Sequence, residues 1–237
     1  MGMTIPSELD YVLDLLGYEW PNVDEDAVHD AAQLVRGLES DMRETLDGLE
    51  SRMLELEADV KSKSVSALVR AYAENRTANL DQLLDALPEV ADGIDIVADA
   101  IVALKVKVIA ELTITAAQIA AAAATAVVTL GASVAANAAI IAARKKALDI
   151  ATDIAMDELL GQVLSMVVEP LSGTIADLAT KAMEAPLVTS GDETGGVDLS
   201  FDLMDQIAQA IDDCGQDQAA IGTSFTTQLA ALPLFAS

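Results

Sequence analysis

The sequence predicts an all-α protein, an elongated antiparallel bundle built from long helical hairpins, one of them alanine-rich and apolar. Three observations point there. Apolar residues make up 52% of the chain but aromatics only 3%, so most of the apolar content is alanine, valine, leucine and isoleucine, and alanine loses no side-chain entropy in a helix. Six prolines and 13 glycines among 237 residues leave room for long uninterrupted helices, whereas a sheet-rich fold needs far more turn punctuation. The apolar residues also recur at helical spacing, and in one segment every seven residues.

The elements follow in order. "IPSELDYVLDLL", Ile5 to Leu16, is a short amphipathic helix with Leu9, Val12, Leu13 and Leu16 as its stripe, Ser7 as its cap and Gly17 as its end. The connector "YEWPNV" places the single tryptophan, Trp20, beside Pro21. Trp20 reads as a staple that folds the first helix back over the start of the next, with Pro21 stiffening the approach. Asn22 and Glu25 have the spacing of a capping box, and Asp24, Glu25 and Asp26 suit the positive end of a helix dipole.

A hairpin is expected over about residues 24–87. Its first helix repeats Val28, Val35, Met42, Leu49 and Leu56 every seven residues; Ala31 and Leu38, then Leu46, Met53 and Val60, form a second seam with one slip. "VKSKSVSAL" interrupts this near Lys61 to Ser64, after which Val65, Leu68, Tyr72, Leu80, Leu83 and Leu87 continue an apolar face, and Pro88 kinks or restarts the helix. An apolar hairpin is expected over about residues 94–168, entered through Val90, Ile94, Val97, Ile101, Leu104 and Val108 and left through Leu148, Ala151, Ala155, Leu159, Val163 and Val167. Residues 1–185 make one bundle domain and "PLVTSGDETGGVD" makes a linker over 186–198. Residues 199–232 form a last helix, or the start of a second hairpin, packed through Phe201, Met204, Ile207, Ile211 and Ile221.

Between Leu112 and Ala143 there is no charged residue. The length permits one membrane span of about 20 residues. Gly131 and Ser133 divide it into two short arms, Gln118 and Asn137 interrupt it, and alanine partitions poorly into lipid, which favours a tightly packed hairpin tip. A conditional membrane hairpin would use Ile119, Val127, Val128, Leu130, Gly131, Ile140 and Ile141.

A formal charge of −26, from 13 basic and 39 acidic residues, excludes nucleic acid as a partner, because that affinity is assembled from basic contacts. The trio Arg144, Lys145 and Lys146 and the lone His29 read as solvated side chains. With one histidine and one cysteine, Cys214, the chain offers neither a histidine metal site nor an internal disulfide. No catalytic, cofactor-binding or metal-binding residues are expected, and the chain is not read as an enzyme. The N-terminus has no basic region ahead of an apolar core, so it is no secretory signal peptide.

The apolar helix ending in glycine, then Trp20-Pro21 and Asp24 to Asp26, then a long hairpin and an alanine-rich hairpin around "TLGAS", resembles the Trp-X-Gly-like N-terminal domains of actinobacterial type VII secretion substrates. Those domains precede polymorphic toxins, including the toxin of a mycobacterial channel protein. The resemblance covers roughly residues 5–168. It departs at the hairpin turn, where Val60-Lys61-Ser62 has neither Trp nor Gly, and in the secretion signal, because no tyrosine is followed four residues later by Asp or Glu.

The resemblance implies a non-catalytic module, made in the cytoplasm and exported by the type VII machinery, that targets or carries an effector by pairing with a helical partner or with itself. The pairing seam would be Val28 to Val60 with Leu68 and Tyr72. The alternative is a channel-forming domain that uses the apolar hairpin at a membrane.

Overall fold

A computed structural model of the chain describes residues 2–60, 63–129, 138, 141–149, 152, 161, 173 and 201–235. These are helical almost throughout: α1 (Ser7–Leu16), α2 (Glu25–Val60), α3 (Lys63–Asn75), a π-helical turn (Arg76–Leu80), α4 (Asp81–Thr129) and α5 (Phe201–Ala230). Residues 141–149 are also helical. Among the described residues there is no strand, only an isolated antiparallel bridge between Val23 and Phe235. The all-α expectation holds. The expected linker, the turn of the apolar hairpin at Leu130 and Gly131, Ile140, and the inward-facing series from Ala151 to Val167 lie outside the described residues.

The chain clusters into two units interleaved in sequence. The first is Met1–Asp30, Gly93–Leu164 and Pro233–Ser237; the second is Ala31–Asp92 and Ser165–Leu232. Helices α2 and α4 each run through both. Within each unit the two helices are antiparallel, as their ion pairs record. Glu25 meets Lys105 and His29 meets Asp95 in the first unit; Arg36 meets Asp92 and Arg43 meets Asp85 in the second.

The core of the first unit joins Leu9, Val12 and Leu16 of α1 to Leu104, Val108 and Leu112 of α4 and to Leu148. That of the second joins Leu46, Leu49 and Met53 of α2, Val65 and Val69 of α3, Leu84 of α4, and Leu203, Ile207, Ala210 and Cys214 of α5. Ala27, Ala31 and Ala32 on α2 and Ala91 and Ala98 on α4 are buried as well, small side chains that let helix backbones approach closely. Thr115 is buried in this apolar stretch because its hydroxyl donates to the Glu111 carbonyl of its own helix at 2.7 Å.

Helix ends show where local chemistry differs from expectation. α1 closes with Gly17 in the left-handed region at φ 59°, its N–H donating to the Asp14 carbonyl and the Tyr18 N–H to that of Leu13, which together form a Schellman cap. Pro6, not Ser7, occupies the cap position of α1, and Ser7 is the first helical residue. The cap of α2 is Asp24, not Asn22: its Oδ1 accepts the N–H groups of Asp26 at 3.0 Å and Ala27 at 3.3 Å. Burial acts to raise the Asp24 carboxyl, but these N–H groups and that of Gly2 hold it below its ordinary value. Glu25 is left free for a different role.

Pro88 neither ends nor restarts a helix; it lies inside α4. Although it has no N–H for the Leu84 carbonyl, helical structure runs from Lys63 to Thr129, and the irregularity falls instead at the π turn. Two predicted faces are rotated. Among the described side chains between Val65 and Leu87 the buried ones are Val65, Val69 and Leu84, while Leu68 of α3 and Leu80 of the π turn are exposed. On α5 they are Leu203, Ile207, Ala210 and Cys214, while Met204 and Ile211 are exposed.

Replacing Asp24 with alanine is expected to lower stability by about 1 kcal/mol, the usual worth of a cap. Asn22→Ala should leave it unchanged. Urea denaturation of the two variants checks the assignment.

Candidate functional site

The connector from Tyr18 to Glu25 gathers several segments of the first unit. Its centre is Lys105 of α4, whose residue is 2% exposed, facing Glu25, which is 5% exposed. An ammonium has three protons to donate, and three acceptors meet them: Glu25 Oε2 at 2.5 Å, the Val23 carbonyl at 2.7 Å and the Met3 carbonyl at 3.2 Å. The Met3 N–H in turn donates to Glu25 Oε1. Burial acts to raise the Glu25 carboxyl, but Lys105 and the Met3 N–H outweigh it and hold the group below the ordinary glutamate range.

Trp20 covers this cluster. It is half-buried against the Leu9, Val12 and Leu16 core, and its ring centroid lies 5.9 Å from Lys105 Nζ, within cation–π range. Tyr18 hydrogen-bonds Thr152 through its hydroxyl at 2.6 Å. The Asp24 N–H donates to the Leu234 carbonyl at 2.9 Å, which brings the residues after α5 to the same place. At Gly2 a Cβ would stand 2.8 Å from Asp24 Oδ1 and 2.9 Å from Glu25 Oε2, so a larger residue there would have to displace these carboxylates.

The second unit has its own charged centre. Arg76, in the π turn, pairs with Asp47 and Glu50 of α2 and with Asp81. Tyr72 donates to the Leu46 carbonyl at 3.3 Å, and burial pushes its phenol up. Burial also raises the Cys214 thiol, which donates to the Thr45 carbonyl at 3.7 Å. A thiol kept protonated in this way is a poor nucleophile.

The structure places the residues singled out in the sequence as follows. Trp20 and Pro21 lie at the first unit's core margin, both half-buried. On α2, Val35 and Leu49 are buried, Met42 and Leu56 border the second unit's core, and Val28 is half-buried. Tyr72 borders the same core, whereas Leu68 faces out. Of the apolar-hairpin residues, Ile119 is half-buried, Val127 and Val128 fall in the last turn of α4, and Ile141 packs on the first unit's core. Among the described residues no helix is long and apolar enough to cross a membrane, and no group of His, Cys, Asp and Glu is placed to hold a metal ion.

Two charged readings are corrected. His29 is not simply solvated: its Nδ1 is 2.7 Å from Asp95 Oδ1. Arg144 pairs with Glu111 at 2.8 Å and donates to Gln118, and Lys145 donates to the Gly17 carbonyl. Each adds a polar tie between segments. The functional residue that sequence reasoning missed is Lys105. Its one signal is position, on the stripe of Ile101, Leu104, Val108 and Leu112.

Three outcomes test the cluster. Lys105→Met, which strands a buried carboxylate, is expected to cost about 3–5 kcal/mol, and adding Glu25→Gln should recover part of it. Trp20→Ala should cost about 2 kcal/mol, less than for a wholly buried aromatic. The folded-state value of Glu25 lies below its unfolded one, so its contribution is full above the ordinary glutamate value of 4.5 and is lost as pH falls through the depressed value. Denaturation midpoints measured from neutral pH down past that window should fall more steeply for the wild type than for Glu25→Gln.

No curated protein and no solved structure matches the chain. Residues 7–145 match the family described as the WXG100 like domain. That span includes α1, the Trp20 connector, α2, α3, the π turn and α4. The chain therefore belongs to the WXG100-like family, the helical proteins associated with type VII secretion.

Proposed function

We propose that the chain is a non-catalytic module of type VII secretion that targets or carries an effector by pairing with another helical protein, made in the cytoplasm and exported by the type VII machinery. The observation that carries this reading is the WXG100-like match across the connector and the α2–α3 hairpin. In this reading the residues divide into two roles. Trp20, Pro21, Val28, Val35, Met42, Leu49, Leu56 and Tyr72 keep the module folded. Pairing with the secretion partner uses apolar residues that the hairpin leaves outside: Leu54, Val60 and Leu68, which are 49%, 39% and 39% exposed.

The membrane-channel alternative gains no support from the described helices. The module is expected to act through proteins and to need no cofactor.

Export from a type VII-competent host, with and without its secretion ATPase, tests the proposal. The chain should appear in the culture filtrate only when the machinery is present. Leu54→Ser with Leu68→Ser should reduce export severalfold while leaving the far-UV circular dichroism unchanged. Export that is independent of the machinery would sink the reading.

A further inference from the structure

Helix α5 carries two parallel apolar stripes, and among the described residues only one is buried in a core. Leu203, Ile207, Ala210 and Cys214 are buried in the second unit's core. One residue further round run Met204, Ala208, Ile211, Gly215, Gln218, Gly222, Phe225 and Leu229, in alternating steps of four and three, the spacing of a coiled-coil seam. Met204 and Ile211 are 51% and 47% exposed and Leu229 is exposed as well, while Gln218, Gly222 and Phe225 between them are half-buried. The glycines sharpen this. A Cβ built on Gly215 or Gly222 would meet nothing within 4 Å, and neither has a positive φ. Glycine inside a helix costs about 1 kcal/mol relative to alanine, and no described residue packs against either one. Gly37 and Gly48 of α2 are equally open, but they stand among charged side chains. On α5 large apolar residues alternate with hollows, a surface shaped for another helix.

The charges say which helix. Asp205 and Asp212 lie one heptad apart and border the stripe on the side away from the core. With Asp202, Asp213 and Asp217 they leave α5 without a single basic residue. Two copies of this face would set like charges opposite each other, which disfavours self-pairing.

We infer that the outer stripe of α5 is a docking face for a basic amphipathic helix of a partner protein, one with an apolar heptad seam flanked by Lys or Arg. It lies outside residues 7–145 and stands independently of the export reading.

The test titrates the full chain with two synthetic helical peptides of about four heptads, identical in a Leu/Ile seam but flanked by Lys in one and Glu in the other. The Lys-flanked peptide should bind, and Ile211→Asn, at an exposed position, should weaken it by about tenfold. Asp205→Lys with Asp212→Lys should transfer preference to the Glu-flanked peptide. Glu55→Lys with Asp59→Lys, the same charge change on exposed positions of α2, should not. Equal binding of both peptides, or an equal effect of the α2 reversal, would overturn the inference. So would sedimentation showing that the chain alone dimerises until Ile211→Asn is introduced.

Discussion

Burying the Lys105 ammonium constrains the first unit more than any apolar contact does. An unmatched charge in that position would cost several kcal/mol, so its three protons need three oxygens with suitable geometry. They come from the N-terminal segment, from the connector and from the first turn of α2. Met3 closes the ring by donating back to Glu25. A side chain that looks like a defect in an apolar helix therefore fixes where three separate pieces of backbone lie. Trp20 adds its ring over the cation, and the Leu234 carbonyl reaches Asp24 beside it.

The second unit is organised differently. Arg36, Arg43 and Arg76 line up against Asp92, Asp85 and the Asp47–Glu50 pair, but most of these carboxylates are open to water. Exposed pairs of this kind contribute little individually; they set the register between helices whose apolar stripes supply the stability. In a chain of net charge −26, spending its few arginines between helices also relieves repulsion where acidic faces would otherwise meet.

How far the sequence was legible follows from the same physics. The α2 seam could be read because a seven-residue repeat survives over many turns, and Val35, Leu49, Leu46 and Met53 are indeed buried. The connector could be read because a tryptophan beside a proline has few other uses in an aromatic-poor chain. Lys105 was harder to read: in "LKVKV" two lysines alternate with apolar residues, and only its place on the Ile101–Leu112 stripe, not composition, marks the one that turns inward. The faces of α5 could not be ranked, since Leu203/Ile207 and Met204/Ile211 are equally apolar and adjacent. Only tertiary contact separates them. The Asn22 assignment failed for a local reason, since two potential caps stand two residues apart and the helix starts after the second.

The π turn at Arg76–Leu80 has a consequence for the geometry of the long helical run. At about 100° per residue, the 19 steps from Val65 to Leu84 would place Leu84 about 100° away from Val65 round an ideal α-helix. Both side chains nevertheless belong to one core. A π turn closes its hydrogen bonds over one additional residue and so holds back the rotation by about one position, which brings Leu84 round to the side of Val65 and Val69. The turn works as a phase corrector: it lets one uninterrupted rod change its sequence register without changing the direction in which it is greasy.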